Sequence, residues 1–127
     1  MRLQLLSLAA AIGAVVVSSA ALAAGGLAGK YTTTISSPAQ IKGKWTLRFA
    51  KSGVYTVAWN GKVGARGRYS STATTITFRE PASTGCGGSG TYAWKKSGSS
   101  LTFIRKRESP ACRPRAMILA HRFTQVR

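Results

Sequence analysis

The stretch Gly85–Arg115, GCGGSGTYAWKKSGSSLTFIRKRESPACRPR, decides the fold. It contains both cysteines of the chain, Cys86 and Cys112. Between them, Gly90–Arg107 has the pattern of a complete β-hairpin, with apolar or aromatic residues alternating along two arms and a turn at Ser97–Ser100. The stretch therefore predicts a hairpin whose two flanking loops carry the cysteines.

Outside this stretch, apolar and polar residues also alternate with a period of two between turn signals, whereas helical periodicity is absent after the N-terminal segment. The predicted strands are Leu27–Ile35, Lys44–Ala50, Val54–Trp59, Lys62–Ser70, Thr74–Arg79, Gly90–Lys96, Leu101–Arg107 and Met117–Val126. We expect a short connection or one helical turn at Ala39–Gly43, and irregular loops at Glu80–Gly90 and Glu108–Arg115. The pattern predicts an all-β fold, a sandwich or a small antiparallel barrel of about eight strands with one disulfide, and of these we expect the barrel.

Two turns set the register of the predicted hairpins. Asn60-Gly61 is typical of a type I′ turn, because both residues tolerate positive φ. The expected cross-strand pairs are Trp59 with Lys62, Thr56 with Ala65, Tyr55 with Arg66, Trp94 with Phe103, and Tyr92 with Arg105. In the strand Val54–Trp59 we expect the aromatic face to point inward, although the opposite face is also apolar.

The N-terminal segment is typical of a secretory signal peptide. Met1-Arg2 supplies a positive start, Leu3–Val17 is almost wholly apolar, and Ala21–Ala23 fits the small-x-small cleavage pattern. We expect residues 1–23 to be removed, leaving a single domain over residues 24–127 in a secreted or extracytoplasmic location. A retained transmembrane helix is the alternative, but polar residues interrupt the apolar run.

The two cysteines are expected to pair. An oxidising compartment permits a Cys86–Cys112 disulfide, and a small domain gains stability from such a crosslink. A zinc site would need four ligands, and the two cysteines with the single histidine, His121, leave it one protein ligand short. We therefore predict a disulfide, with free or intermolecular thiols as the alternative, and neither a metal nor another cofactor.

Glycine followed one residue later by an aromatic recurs at Gly29/Tyr31, Gly43/Trp45, Gly53/Tyr55, Gly67/Tyr69 and Gly90/Tyr92. With the ending Cys86…Gly-Thr-Tyr92-Ala-Trp94…Leu-Thr-Phe103…Cys112-Arg-Pro-Arg115, these motifs resemble small secreted bacterial lipocalin-like (calycin) proteins. The resemblance implies an up-and-down barrel that binds small apolar molecules inside. It also implies an aromatic ring packed beneath an arginine of a late strand, here Tyr31 or Trp45 with Arg105 or Arg122. The chain is shorter than a typical lipocalin and shows no obvious C-terminal helix.

Charge is the most unusual property of the chain. Nineteen lysines and arginines face two glutamates, for a formal net charge of +17. Such an imbalance attracts polyanions. If the charge is functional, the alternative function is that of a cationic envelope-binding or antimicrobial protein, which uses the barrel as a scaffold and has anionic envelope polymers or lipids as partners. The candidate polyanion surface is Arg66, Arg68, Lys95, Lys96, Lys106 and Arg107. The alternative is a solvated surface with no specific partner, and secretion argues against nucleic acid as a partner in vivo.

The chain has few side chains that could act as a catalytic acid, base or nucleophile-activating group. Glu80 and Glu108 are the only carboxylate side chains, and a paired acid and base would require their two loops to converge. His121 has no aspartate to orient it. We therefore expect a protein that is not an enzyme.

Binding inside the barrel is the remaining hypothesis. The candidate ligand-binding residues are Trp45, Phe49, Tyr55, Phe78, Trp94, Phe103 and Arg105, for a small apolar or acidic molecule. The same rings also suit a filled core without space for a ligand. We expect the protein to be a monomer.

Overall fold

The structure, a computed structural model, describes residues 26–127. The predicted signal peptide, residues 1–23, and the predicted new N-terminus at Ala24 lie outside the described residues.

Eight antiparallel strands form a closed barrel in the order of the chain, with the last strand paired to the first. The strands are β1 (Gly29–Ile35), β2 (Gly43–Phe49), β3 (Val54–Trp59), β4 (Lys62–Ser71), β5 (Thr75–Arg79), β6 (Ser89–Ser97), β7 (Ser100–Glu108) and β8 (Phe123–Val126). One α-helix, α1 (Arg113–Leu119), and 3₁₀ turns at Ala39–Ile41 and Pro110–Cys112 complete the described part. The predicted all-β barrel is confirmed, and its architecture is consistent with a calycin-like fold.

Both predicted turns form, but one register is shifted. Asn60 and Gly61 have φ of 51° and 86°, as a type I′ turn requires, and Trp59 pairs with Lys62. A β-bulge then shifts the pairing by one residue, so Thr56 pairs with Arg66 and Tyr55 with Gly67. The pairs predicted for Thr56 and Tyr55 are therefore wrong by one position. The hairpin of β6 and β7 has the predicted pairs, Trp94 with Phe103 and Tyr92 with Arg105.

The predicted strand Met117–Val126 is wrong in its first half, because α1 extends to Leu119 and β8 begins only at Phe123. Pro114 lies in the first helical turn, where its missing N–H costs no hydrogen bond. Arg115, Ile118 and Leu119, spaced three and four residues apart, are the buried residues of α1. A helix therefore packs over one end of the barrel.

We call this end, where α1 lies, the helix end. The Cys86–Cys112 disulfide, with a Cα–Cα distance of 5.1 Å, joins the loop between β5 and β6 to the start of α1. The predicted disulfide is therefore present.

Aromatic rings from successive strands fill the barrel. Edge-to-face contacts run from Tyr31 to Phe49, from Tyr55 to Phe78, and from Phe78 to Tyr92 and Phe103. On β3 the predicted aromatic face points inward: Tyr55 is in the core, and Val57 packs against it. The barrel is therefore a packed core over much of its length.

Candidate functional site

A cavity of about 500 Å³ opens at the helix end of the barrel. Strands β2 and β3 form one wall, with Trp45, Leu47 and Val57 facing the space. Ile118 and Leu119 of α1 form another wall, and residues 82–86 border the opening. The lining is mostly apolar, and the charged side chains in it are those of Glu80 and Arg115.

Two stacked tryptophans stand at this cavity. Trp45 and Trp59 are cross-strand partners whose ring centroids lie 5.5 Å apart with planes 9° from parallel. Their indole N–H groups donate to the carbonyl oxygens of Ile41 and Lys42, at 2.7 and 2.9 Å. The rings are therefore held in place, although Trp59 is 42% exposed.

Gly43 permits this arrangement. Its φ is +136°, and a Cβ there would lie 2.6 Å from Nε1 of Trp59 and 2.7 Å from Oδ1 of Asn60. Only glycine combines that backbone conformation with such a close approach. The glycine of a Gly-x-aromatic motif therefore makes room for the stacked pair.

Beneath the cavity lies an ionic cluster built from Arg115 and both acidic side chains of the chain. Arg115 forms a bidentate salt bridge with Glu108: Nε donates to Oε2 at 2.9 Å, and Nη2 donates to Oε1 at 2.6 Å. Its Nη1 lies 3.3 Å from Oε2 of Glu80. The three side chains are 7%, 4% and 4% exposed, so the cluster is shielded from water.

Arg115 makes two further hydrogen bonds. Nη2 donates to the carbonyl oxygen of Gly88 at 3.4 Å, and Nη1 donates to the hydroxyl of Tyr55 at 3.3 Å. The guanidinium thus makes four hydrogen bonds, and Nη1 also forms the ion pair with Glu80. The positive charge of Arg115 is therefore already compensated by the two glutamates.

Each glutamate is also bound by a tyrosine hydroxyl and a backbone amide. Tyr55 donates to Glu80 and Tyr92 donates to Glu108. The amide of Cys86 donates to Oε1 of Glu80 at 3.0 Å, and that of Ser109 to Oε1 of Glu108 at 3.0 Å. Both carboxylates are therefore fully engaged in holding the fold.

The cluster shifts the acid–base properties of its members. Burial alone raises the pKa of Glu108, but the hydrogen bonds from Arg115 and Tyr92 outweigh it and hold that pKa below its ordinary value. Burial and the hydrogen bonds to the glutamates raise the pKa of Tyr55 and of Tyr92. For Arg115, the hydrogen bond and charge of Glu108 outweigh burial, so its pKa is raised. Each shift favours the protonation state that the hydrogen bonds require.

The candidate ligand-binding residues occupy four different places. Trp45, Tyr55 and Phe78 line the cavity. Phe49 and Phe103 are core residues that do not border it. Trp94 lies towards the other end, where its indole N–H donates to the carbonyl oxygens of Thr72 and Thr75, at 3.1 Å each. Arg105 is exposed on β7.

The arginine beside the aromatic core is not one of the two that the lipocalin resemblance implies. Arg105 and Arg122 are both exposed, whereas the guanidinium carbon of Arg115 lies 5.6 Å from the ring centroid of Phe78. The sequence predicts Arg115 at the end of a loop and assigns it no role. Its spacing of three and four residues from Ile118 and Leu119 is the signal that could have placed it on the inner face of a helix.

The candidate polyanion residues lie on two separate parts of the outer wall. Arg66 and Arg68 are exposed on β4, and Lys95, Lys106 and Arg107 are exposed on the hairpin of β6 and β7. Lys96 is half-buried, with its Nζ 5.8 Å from the ring centroid of Tyr31. Strand β5 separates the two sets.

Within residues 26–127, no helix is long and apolar enough to span a membrane. Comparison of the chain with protein-family models, with curated proteins and with solved structures found no match.

Proposed function

We propose that this is an exported, lipocalin-like binding protein that takes a small, neutral and largely apolar molecule into the cavity at the helix end. The observation that carries the proposal is the open cavity of about 500 Å³ in an otherwise packed barrel. Pockets for small molecules are typically about 300–1,000 Å³ and mostly apolar. The disulfide supports export, because such bonds persist in oxidising compartments.

The ionic cluster favours a neutral ligand over an acidic one. The charge of Arg115 is compensated by ion pairs with Glu80 and Glu108, and its guanidinium also donates to Tyr55 and Gly88. An ionised group entering the cavity would lose its water and find no free charged partner there. The uncharged part of the lining, with Trp45 and Trp59 stacked beside it, suits an apolar or aromatic surface.

Uptake of an environment-sensitive apolar dye tests the proposal. We expect one dye per protein and quenching of tryptophan fluorescence, because Trp45 and Trp59 border the cavity. Trp94 does not border it, so the Trp94→Phe variant should keep most of the quenching.

A matched pair of substitutions locates the binding. Ala65 lines the cavity, and Ala65→Phe should fill part of it and weaken dye binding at least about tenfold. Ala93 lies outside the cavity opposite Ile104, which is 68% exposed, so Ala93→Phe should leave dye binding unchanged. Urea denaturation of both variants verifies folding. Equal dye binding by the folded Ala65→Phe variant would overturn the proposal.

Native mass spectrometry of the protein from its own source tests export and ligand retention together. We expect a mature chain that begins at Ala24, the mass loss of one disulfide, and a small molecule released on denaturation. A chain that retains residues 1–23 would contradict export.

Binding of anionic polymers or lipids is a second candidate function, favoured by the distribution of charge. Both carboxylate side chains are inside the barrel, and Arg115 is the buried cation among the described residues. The outer wall of residues 26–127 therefore presents lysines and arginines without acidic side chains among them. Affinity for such a partner should fall steeply with salt, because bound polyanions release counterions. Binding to anionic liposomes that does not depend on salt would contradict this function.

A further inference from the structure

Three arginines line a groove on the outer wall where β4 meets β5. The groove has a volume of about 480 Å³ and is bordered by Arg66, Arg68 and Arg79. Arg68 and Arg79 are direct cross-strand partners, and Arg66 precedes Arg68 by two residues, so it lies on the same face of β4. All three are exposed. We call this feature the arginine groove.

The backbone around the arginine groove is firmly held. The amide of Arg66 donates to the carbonyl oxygen of Thr84 at 2.8 Å, and Oγ1 of Thr84 donates to the carbonyl oxygen of Arg66 at 2.8 Å. A Cβ on Gly67 would lie 2.4 Å from the carbonyl oxygen of Arg79, so only glycine fits between Arg66 and Arg68. The loop over residues 81–84 is therefore fastened to β4 and forms one side of the groove.

Among residues 26–127, neither carboxylate side chain pairs with these arginines. Glu80 borders the groove, but its carboxylate contacts Tyr55, Cys86 and Arg115 inside the barrel. Like charges directly opposite each other destabilise a sheet, so an anion between Arg68 and Arg79 would relieve their repulsion. Guanidinium groups also match the geometry of phosphate oxygens, with two hydrogen bonds from one arginine.

Two cations lie beside the groove on the outer wall, and one uncharged residue, Thr56, separates them from Arg66. Lys30 of β1 pairs with Arg48 of β2, and Thr56 of β3 pairs with Arg48 on one side and Arg66 on the other. Neighbouring strands are about 4.8 Å apart, so Lys30, Arg48 and Arg66 place positive charges on three of four neighbouring strands. A single phosphate ion could contact only some of these charges, whereas a chain with repeated phosphates could contact all of them.

We propose that the arginine groove binds the phosphate groups of a linear polymer, with Arg48 and Lys30 contacting successive phosphates along the same chain. This inference rests on the second candidate function, polyanion binding, and assigns it a site and a chemical class. It is independent of the cavity at the helix end.

The test compares two variants that each lose three positive charges. Arg66→Gln/Arg68→Gln/Arg79→Gln removes the arginine groove, and Lys95→Gln/Lys106→Gln/Arg107→Gln removes charges from the hairpin of β6 and β7. Poly(glycerol phosphate) is titrated into each folded protein at several salt concentrations. We expect the groove variant to bind about 10- to 100-fold more weakly than the unmodified protein, with the slope of log K against log salt reduced in magnitude by about 3. The hairpin variant should lose much less affinity.

Other outcomes would contradict the proposed site, polyanion binding as a whole, or the assignment to phosphate, and they can be told apart. Equal losses in the two variants would show diffuse attraction, which contradicts the arginine groove but leaves polyanion binding intact. Failure of the unmodified protein to bind at low salt would contradict both. Heparin is the probe for the chemical class, because its charges are sulfates and carboxylates. Binding of heparin as tight as that of poly(glycerol phosphate), and equally dependent on the groove, would overturn the assignment to phosphate.

Discussion

Arg115 holds two strand ends and a helix together through its charge. Glu80 follows β5 and Glu108 ends β7, so the guanidinium ties both to α1. Removing one partner of a buried ionic cluster is costly, because the remaining charges lose their compensation without regaining water. The contribution of Arg115 to stability is therefore best measured by replacing its charged side chain with an uncharged one of similar size.

We expect Arg115→Met to lower the free energy of unfolding by about 3–5 kcal/mol, measured by urea denaturation at neutral pH. The matched control adds Glu80→Gln and Glu108→Gln to the same protein. Because no charge then remains buried, this triple variant should recover part of the loss. A loss below about 1 kcal/mol for Arg115→Met would contradict the role of the cluster.

The lowered pKa of Glu108 predicts that the folded protein loses stability in acid. Its pKa is lower in the folded protein than the ordinary value of 4.5, so the unfolded chain binds the proton more tightly. The stabilisation is present above pH 4.5 and is lost as pH falls through the lower pKa of the folded state. Glu108→Gln should cost about 1.5–3 kcal/mol at neutral pH and flatten the acid dependence. Identical acid dependence in both proteins would refute this account.

The sequence predicts both glutamates in loops, whereas Glu108 is the last residue of β7 and faces inward. A bulge explains why this direction is not predicted. Leu101 and Phe103 are buried, as two-residue alternation predicts. The bulge in the pairing of β6 with β7 then inserts Lys106, which reverses the alternation and lets Glu108 face inward opposite Gly90. Nothing in the local sequence marks that extra residue.

At the scale of elements, the strands were predictable and the helix was not. Seven strands have bounds within two residues of those predicted, because alternation and turn residues agree along them. Helix α1 has only seven residues, too few to be stable alone in water, so its sequence carries a weak signal. Packing of Ile118 and Leu119 on the barrel and the adjacent disulfide decide its conformation.

The disulfide should contribute substantially to stability. It closes a separation of 26 residues, for which chain entropy gives about 3–4 kcal/mol. We expect Cys86→Ser/Cys112→Ser to lower the free energy of unfolding by that amount in urea. Reduction of the unmodified protein by dithiothreitol should give the same loss, and no change in either experiment would exclude a stabilising crosslink.

At the scale of the whole molecule, the cavity was less predictable than the barrel. Trp45, Tyr55 and Phe78 could be chosen from the sequence because they alternate with polar residues. Which inward rings fill the core and which border an opening depends on the position of α1 and of residues 82–86. That position is a tertiary property without a local signal.

The tyrosines predict how the whole barrel responds to alkali. Burial, which is the largest cause in each, raises the pKa of all four above the ordinary value of 10.0; they are Tyr31, Tyr55, Tyr69 and Tyr92. Because the pKa of each tyrosine is higher in the folded protein than in the unfolded chain, the protonated tyrosines stabilise the fold fully below pH 10.0. This contribution to the free energy of unfolding is lost as pH rises above 10.0. Tyrosinate absorbance should therefore appear together with loss of far-ultraviolet circular dichroism, whereas urea-unfolded protein should titrate near pH 10. Ionisation of the folded protein's tyrosines near pH 10, without loss of circular dichroism, would contradict the raised pKa values.

The inward position of Glu80 and Glu108 also determines which ion pairs the protein can form. Within the barrel, both side-chain carboxylates are committed to one arginine. An exposed lysine or arginine of residues 26–127 therefore finds no acidic side chain of its own molecule to pair with. Two copies cannot exchange such pairs either, because each presents the same sign to the other. Every side-chain anion that its surface meets must come from a different kind of molecule.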